Sequence, residues 1–142
     1  MLKTSNPVRF EQLMVGLDAN QLIRLYHSKL KLRRVTRNIH DPAVKDSILV
    51  VATPADHLDL FKNRDKALLR GATITSTKVR FAGMRVGVSK EQFCRTLHLS
   101  SAYQVYTFTD GMENFVQLTF TFLTNKLSSV VYEELIAMDG ID

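Results

Sequence analysis

Between residues 115 and 123 the chain alternates strictly: Val116, Leu118, Phe120 and Phe122 are apolar, and Gln117, Thr119 and Thr121 between them are polar. A period of two is that of a strand with one apolar face, because successive side chains leave opposite sides of the pleat. The flanking stretches 103–109 and 127–135 are equally rich in Val, Phe, Tyr and Thr, the residues that suit a pleated surface. The polar breaks Asp110-Gly111-Met112-Glu113-Asn114 and Thr124-Asn125-Lys126 separate the three runs. The pattern predicts a three-stranded antiparallel meander. Upstream, 31–39, 47–53, 57–62 and 66–75 also read as strands, with Asp41-Pro42 and Asn63-Arg64-Asp65 as turns; 66–69 is equally compatible with a helical turn.

Before each group of strands the period changes to that of a helix. Residues 8–27 and 79–98 align without a gap, and eight of the twenty pairs are identical: Val8/Val79, Arg9/Arg80, Phe10/Phe81, Val15/Val86, Gly16/Gly87, Gln21/Gln92, Arg24/Arg95 and His27/His98. Asp18 and Ser89 occupy the same place in this alignment, and both types accept hydrogen bonds from the free N–H groups of a helix's first turn. Gln21 and Gln92 follow at capping-box spacing, and Leu17/Leu22 and Val88/Phe93 at the spacing of a hydrophobic staple. Two helices are predicted, over 18–30, burying Leu22, Leu25, Tyr26 and Leu30, and over 89–99, burying Phe93, Cys94 and Leu97. Each follows a predicted strand and a Val-Gly turn. The expected fold is therefore α+β: a single compact domain over 1–142 made as a tandem duplication, 8–75 and 79–136, of a strand-turn-helix plus antiparallel β-meander unit, with the helices packed on one face of the sheets.

Composition adds limits. With 142 residues, 45% hydrophobic and 23% charged, the chain falls among globular domains. No run of apolar residues is long enough for a transmembrane segment, and residues 1–7 lack the apolar stretch of a signal peptide. A lone cysteine, Cys94, excludes an intramolecular disulfide and a cysteine-based zinc site. The net charge of +5 is unevenly spread. Residues 19–40 hold no acid but carry Arg24, Lys29, Lys31, Arg33, Arg34 and Arg37, whereas 110–142 hold six acids and only Lys126.

The stretch Met84-Arg85-Val86-Gly87-Val88-Ser89-Lys90-Glu91-Gln92-Phe93, with a meander closing on Lys126-Leu127-Ser128-Ser129-Val130-Val131-Tyr132, resembles the small outer-membrane assembly lipoprotein family and the β-lactamase-inhibitor-protein-like fold, in which such units occur in tandem. The stretch from Leu60-Phe61-Lys62-Asn63 through Gly71-Ala72 to Val86-Gly87 is similar to exported proteins of Bacteroides-type bacteria. The resemblance implies a periplasmic or secreted binding module; the missing leader and disulfides leave a cytoplasmic location as the alternative. No functional residue carries over.

Candidate chemistry is sparse. His27 and His98 recur at matching positions, but each stands near a helix end, where it helps the terminal carbonyls, and neither His40 nor His57 completes a metal-ligand spacing. Cys94 falls on an apolar helix face and reads as a buried thiol rather than a nucleophile. Asp41, Asp46, Asp56, Asp59 and Asp65 fall on turn and strand signals and read as structural. Phosphate-loop, nucleophile-elbow and zinc-protease motifs are absent. No cofactor and no catalytic residue is expected, and the reading is of a non-enzymatic module that binds a protein or an envelope component. Its predicted contact face points away from the helices: Tyr103, Val105, Thr107, Thr109, Gln117, Thr119 and Thr121. One alternative is anion binding by the basic segment 24–37, through Lys29, Lys31, Arg33, Arg34 and Arg37. Nucleic acid is disfavoured there because no exposed aromatics interleave for base stacking, and the charges also suit a protected edge strand. Another is a small-ligand carrier or enzyme with a pocket between the repeats. Edge strands give a route to a homodimer.

Overall fold

The computed structural model describes residues 1–110 and 115–135. Helices and strands are mixed, and the eight strands among the described residues join one sheet. They are β1 (Leu2–Thr4), β2 (Leu30–Arg37), β3 (Lys45–Ala52), β4 (Asp56–Lys62), β5 (Ala67–Ile74), β6 (Val105–Thr109), β7 (Val116–Leu123) and β8 (Lys126–Glu134). Their order in the sheet is β1-β6-β7-β8-β5-β4-β3-β2. β1 runs parallel to β6, and every other pair is antiparallel. Two meanders, β2 to β5 and β6 to β8, thus meet where β5 pairs with β8, Ile74 opposite Val130 and Gly71 opposite Glu133. Residues 66–69 resolve as the turn into β5 and its first residues, not as a helical turn. Of the predicted breaks, residues 111–114 lie outside the described residues. Thr124 and Asn125 form a two-residue hairpin with φ of 49° and 63°, the paired left-handed conformations whose twist matches that of the flanking strands.

The helices start where their caps predict. Asp18 accepts from the Gln21 N–H at 3.1 Å and opens α2 (Ala19–Leu25), and Ser89 accepts from the Gln92 N–H at 3.1 Å and opens α3 (Lys90–Leu97). Both are shorter than expected. α2 gives way at Tyr26 to a 3-10 turn over His27–Lys29, so Leu25 is 44% exposed rather than buried, while Leu22 and Tyr26 are buried. α3 ends at His98, whose left-handed φ of 56° stops the helix.

The predicted strand before each Val-Gly turn is absent. Residues 7–14 form α1 (Pro7–Met14), capped by Asn6 Oδ1, which accepts from the Val8 and Arg9 N–H groups. Asn at the cap with Pro in the first helical position is a helix-start signal, and here it outweighs the extended look of Val-Arg-Phe. In the second copy Ala82 and Gly83 adopt φ of 52° and 82°, and Phe81 and Met84 close a tight turn around them with two backbone hydrogen bonds, of 2.7 and 2.9 Å. The two glycines also act differently. Gly87 has φ of +97°, whereas a Cβ on Gly16 would stand 1.8 Å from the backbone oxygen of Arg80. Gly16 is thus where α1's end meets the second copy's turn.

One core cluster includes Phe10 and Leu13 of α1, Leu22 of α2, Phe93, Cys94 and Leu97 of α3, and alternate strand residues such as Leu58, Leu60, Phe108, Leu118 and Phe120. Phe93 is its aromatic centre: its ring lies 5.0–6.4 Å from those of Tyr106, Phe108, Phe120 and Phe122. Such tilted and edge contacts add to area burial.

Candidate functional site

The pleat that sends Leu118, Phe120 and Phe122 toward Phe93 sends Gln117, Thr119 and Thr121 the other way. Register extends this second face across the sheet. Thr119 pairs with Val131 and Val131 with Thr73; Gln117 pairs with Glu133, Glu133 with Gly71, and Gly71 with Asp59. Asp59 pairs in turn with Val50, which pairs with Lys31 on β2. Gln117, Thr119 and Thr121 are each half-buried, and Gln117 Nε2 donates to Glu133 at 2.6 Å. Asp59 Oδ1 is buried with no hydrogen-bond partner among the described residues, a state that costs free energy in a folded protein.

The seven predicted contact residues do not all share this face. Tyr103 packs edge-on against the core ring of Tyr106, with centroids 6.0 Å apart, and its carbonyl accepts from Lys90 Nζ at 3.1 Å; it belongs with the α3 side. Thr107 and Thr109 lie on the far face but are buried, at 3% and 0% exposure. The N-terminal residues cover them: Thr107 Oγ1 contacts Met1 Sδ and Thr119 Oγ1, and Thr109 Oγ1 donates to Ser5 Oγ at 2.9 Å. The parallel strand β1 beside β6 was not foreseen, since three residues carry too little pattern to register as a strand. Val105, Gln117, Thr119 and Thr121 remain partly exposed on the predicted face.

The basic candidates Lys29, Lys31, Arg33, Arg34 and Arg37 are all exposed. The last four belong to β2, at the end of the sheet, which among the described residues pairs only with β3. A bulge between Leu32 and Arg34 shifts its register, and such irregularities together with charge discourage edge-to-edge association.

Two other polar clusters are internal. Asp56, 3% exposed, accepts from Tyr26 Oη at 2.7 Å, from the Ser76 hydroxyl, and from the Thr75 and Ser76 N–H groups at 3.0 Å each. Burial alone would raise its pKa. The donors from Ser76, Tyr26 and Thr75 outweigh that and hold it below the ordinary 3.8. Burial, and then the Asp56 carboxylate, push the Tyr26 phenol upward. This hub ties α2's end to the β4–β5 region. Sequence reading placed Asp56 among structural acids without finding its partner, because Tyr26 is 30 positions away. Asp46 holds the Asn38 and Asn63 amides, Asp41 caps the Ala43 N–H, and Asp65 lies 3.3 Å from Arg64. Cys94 is buried and donates to Tyr106 Oη at 3.3 Å, and Tyr106 in turn donates to the Ser100 carbonyl at 2.7 Å. Burial, then the Cys94 contact, push the Tyr106 phenol up to about 12. His27 and His98 are exposed at their helix ends, and among the described residues no three His, Cys, Asp or Glu side chains gather to hold a metal.

An open groove of about 520 Å³ lies between the α1–α2 junction and β5, reaching Tyr132 of β8. Its lining is mainly Met14, Val15, Leu17 and Leu68, with Glu11 and Asp18 at the edge; Asp18 is committed to capping α2. No protein family, curated protein or solved structure matches the chain.

Proposed function

We propose that this chain is a duplicated, non-enzymatic binding module whose uncovered sheet face contacts a protein or an envelope component. The observation that carries the reading is the buried, unpartnered Asp59 Oδ1 in the middle of a face of half-buried Thr, Val and Gln side chains. A partner seated on this face removes its half-buried apolar surface from water, and the Asp59 oxygen, closed off in the free chain, gains a donor once the side chains over it move aside. Duplication is supported by spacing. α2 and α3 begin 71 positions apart, at Ala19 and Lys90, and the eight-residue strands β3 and β7 begin 71 apart, at Lys45 and Val116. Helices on one side of the sheet are supported by Phe93 contacting β6 and β7 and by Tyr26 bonding to Asp56. The periplasmic or secreted setting, and the likeness to the inhibitor-like fold, belong to this proposal. No helix among the described residues is long and apolar enough to cross a membrane.

A homodimer through β2 is disfavoured on this reading, because Lys31, Arg33, Arg34 and Arg37 would face their own copies. The reading is tested by comparing Thr119→Arg, on the uncovered face, with Gln92→Arg, on the exposed side of α3, in affinity capture from an envelope extract. Loss of the captured partner only with Thr119→Arg supports the face. Equal loss, or loss only with Gln92→Arg, removes it.

A further inference from the structure

At the β2 end of the same face, a concave groove of about 380 Å³ gathers positive charge from three parts of the fold. Arg34 and Arg37 come from β2, Lys66 from the turn before β5, and Arg70 from β5. Ile48, Phe61 and Leu68 supply the apolar part of the lining. Lys66 Nζ stands 5.8 Å from the Phe61 ring centroid, so one cation already sits above that apolar part. His40 also lines the groove, and its carboxylates among the described residues are Asp46 and Glu134. Asp46 is occupied by the Asn38 and Asn63 amides, and Arg70 and Glu134 each have interactions within the protein. Arg34 and Arg37 are exposed.

Four cations and two carboxylates around one concavity leave an excess of positive charge, greatest at the exposed Arg34 and Arg37, which an anion of matching size relieves. Guanidinium groups bind planar carboxylates in a two-pronged fashion that an ammonium cannot copy. Small-molecule sites are concave, largely apolar and about 300–1,000 Å³ in volume, with a few polar groups that fix orientation. We propose that this groove binds a small amphipathic carboxylate, its head at Arg34 and Arg37 and its aliphatic body on Ile48, Phe61 and Leu68. Inorganic phosphate would leave the apolar lining wet. A polyanion would bring further charges up to Asp46 and Glu134. The proposal goes beyond the partner reading and does not depend on it.

The test is a calorimetric titration of decanoate, below its micelle threshold, into the full chain, with decanol, acetate and inorganic phosphate in parallel. Decanoate is expected to bind saturably and more tightly than the other three. The pair Arg34→Gln/Arg37→Gln should weaken it by about tenfold, the effect of losing one charge-assisted contact. Leu68→Asp, at a half-exposed position, should weaken it similarly while melting like the wild type. Lys29→Gln/Lys31→Gln/Arg33→Gln lies on the same basic run but outside the groove lining, and should change affinity by less than about twofold. The proposal is overturned if decanoate does not saturate, or if decanol, acetate or phosphate binds as tightly. It is equally overturned if the triple variant loses as much affinity as the Arg34/Arg37 pair.

Discussion

Tyr26 and Asp56 stand in the first half where Leu97 and Leu127 stand in the second, each pair separated from its counterpart by 71 positions. All four are nearly solvent-free, at 1%, 3%, 0% and 2% exposure. One half ties the end of its helix to the sheet with a hydrogen-bonded carboxylate, whereas at the matching sequence positions of the other two buried leucines belong to the core cluster. The leucines need only fill space. The polar pair needs each donor and acceptor in place, because an unmade hydrogen bond in the interior costs more than a made one gains. The difference teaches that burial alone does not reveal which half responds to pH or tolerates a change of side chain. The apolar half should be sensitive to volume, and the polar half to protonation and to single-partner deletions.

The largest effect is expected in the apolar half. Phe93→Ala empties the centre of a four-ring cluster and should cost about 3–5 kcal/mol, read from urea denaturation midpoints. If it costs no more than a surface change, the aromatic cluster is not what holds α3 to the sheet. Next comes Asp56→Leu, which makes the first half imitate the second on one side only. It strands Tyr26 Oη and the Ser76 hydroxyl and should cost about 2–4 kcal/mol. In a double-mutant cycle with Tyr26→Phe the two losses should fall short of additivity by about 1–2 kcal/mol. Additive losses would mean the pair is not coupled.

The same pair sharpens the comparison through pH. Because the folded pKa of Asp56 lies below its unfolded value, its contribution is fully present above about pH 4 and fades as the pH falls below 3.8 toward the folded value. Thermal melts of the wild type should therefore drop over that window more steeply than those of Tyr26→Phe/Asp56→Leu. Parallel curves would assign the acid sensitivity to other carboxylates. Two glycines probe the end of α1 and the turn beside it. Gly16→Ala drives a Cβ into the Arg80 backbone and should cost about 2–3 kcal/mol. Gly87→Ala strains only a left-handed residue and should cost about 1 kcal/mol. Reversal of that order would show that the α1 end does not rest against the second copy's turn.

Much of this was readable from the residues. Strict alternation in 116–122 located β7 and its core face, and the Asp18 and Ser89 caps located two helix starts to the residue. What failed shows where local identity stops determining structure. Val8-Arg9-Phe10 and Val79-Arg80-Phe81 are the same three residues, yet one lies in a capped helix and the other leads into a turn. Val8 is 73% exposed and Val79 1%. The deciding residues lie outside the matched triplet: Asn6 and Pro7 before one, Ala82 and Gly83 after the other. The uncovered face was legible as alternation in β7, but its loss at Thr107 and Thr109 was not, because β1 comes from the opposite end of the chain. The cationic groove was half legible: Arg34 and Arg37 stood out as charge, whereas Lys66 and Arg70 join them only through the pairing of β2 with β3, β3 with β4 and β4 with β5.

The central claim, that the uncovered sheet face is the contact surface, is tested most directly by placing a photo-crosslinking residue at position 119, on that face, and separately at position 92, on exposed α3, in the full chain under native conditions. The account expects a discrete crosslinked partner from position 119 and none from position 92. A partner captured from position 92 alone, or from neither position, would contradict it.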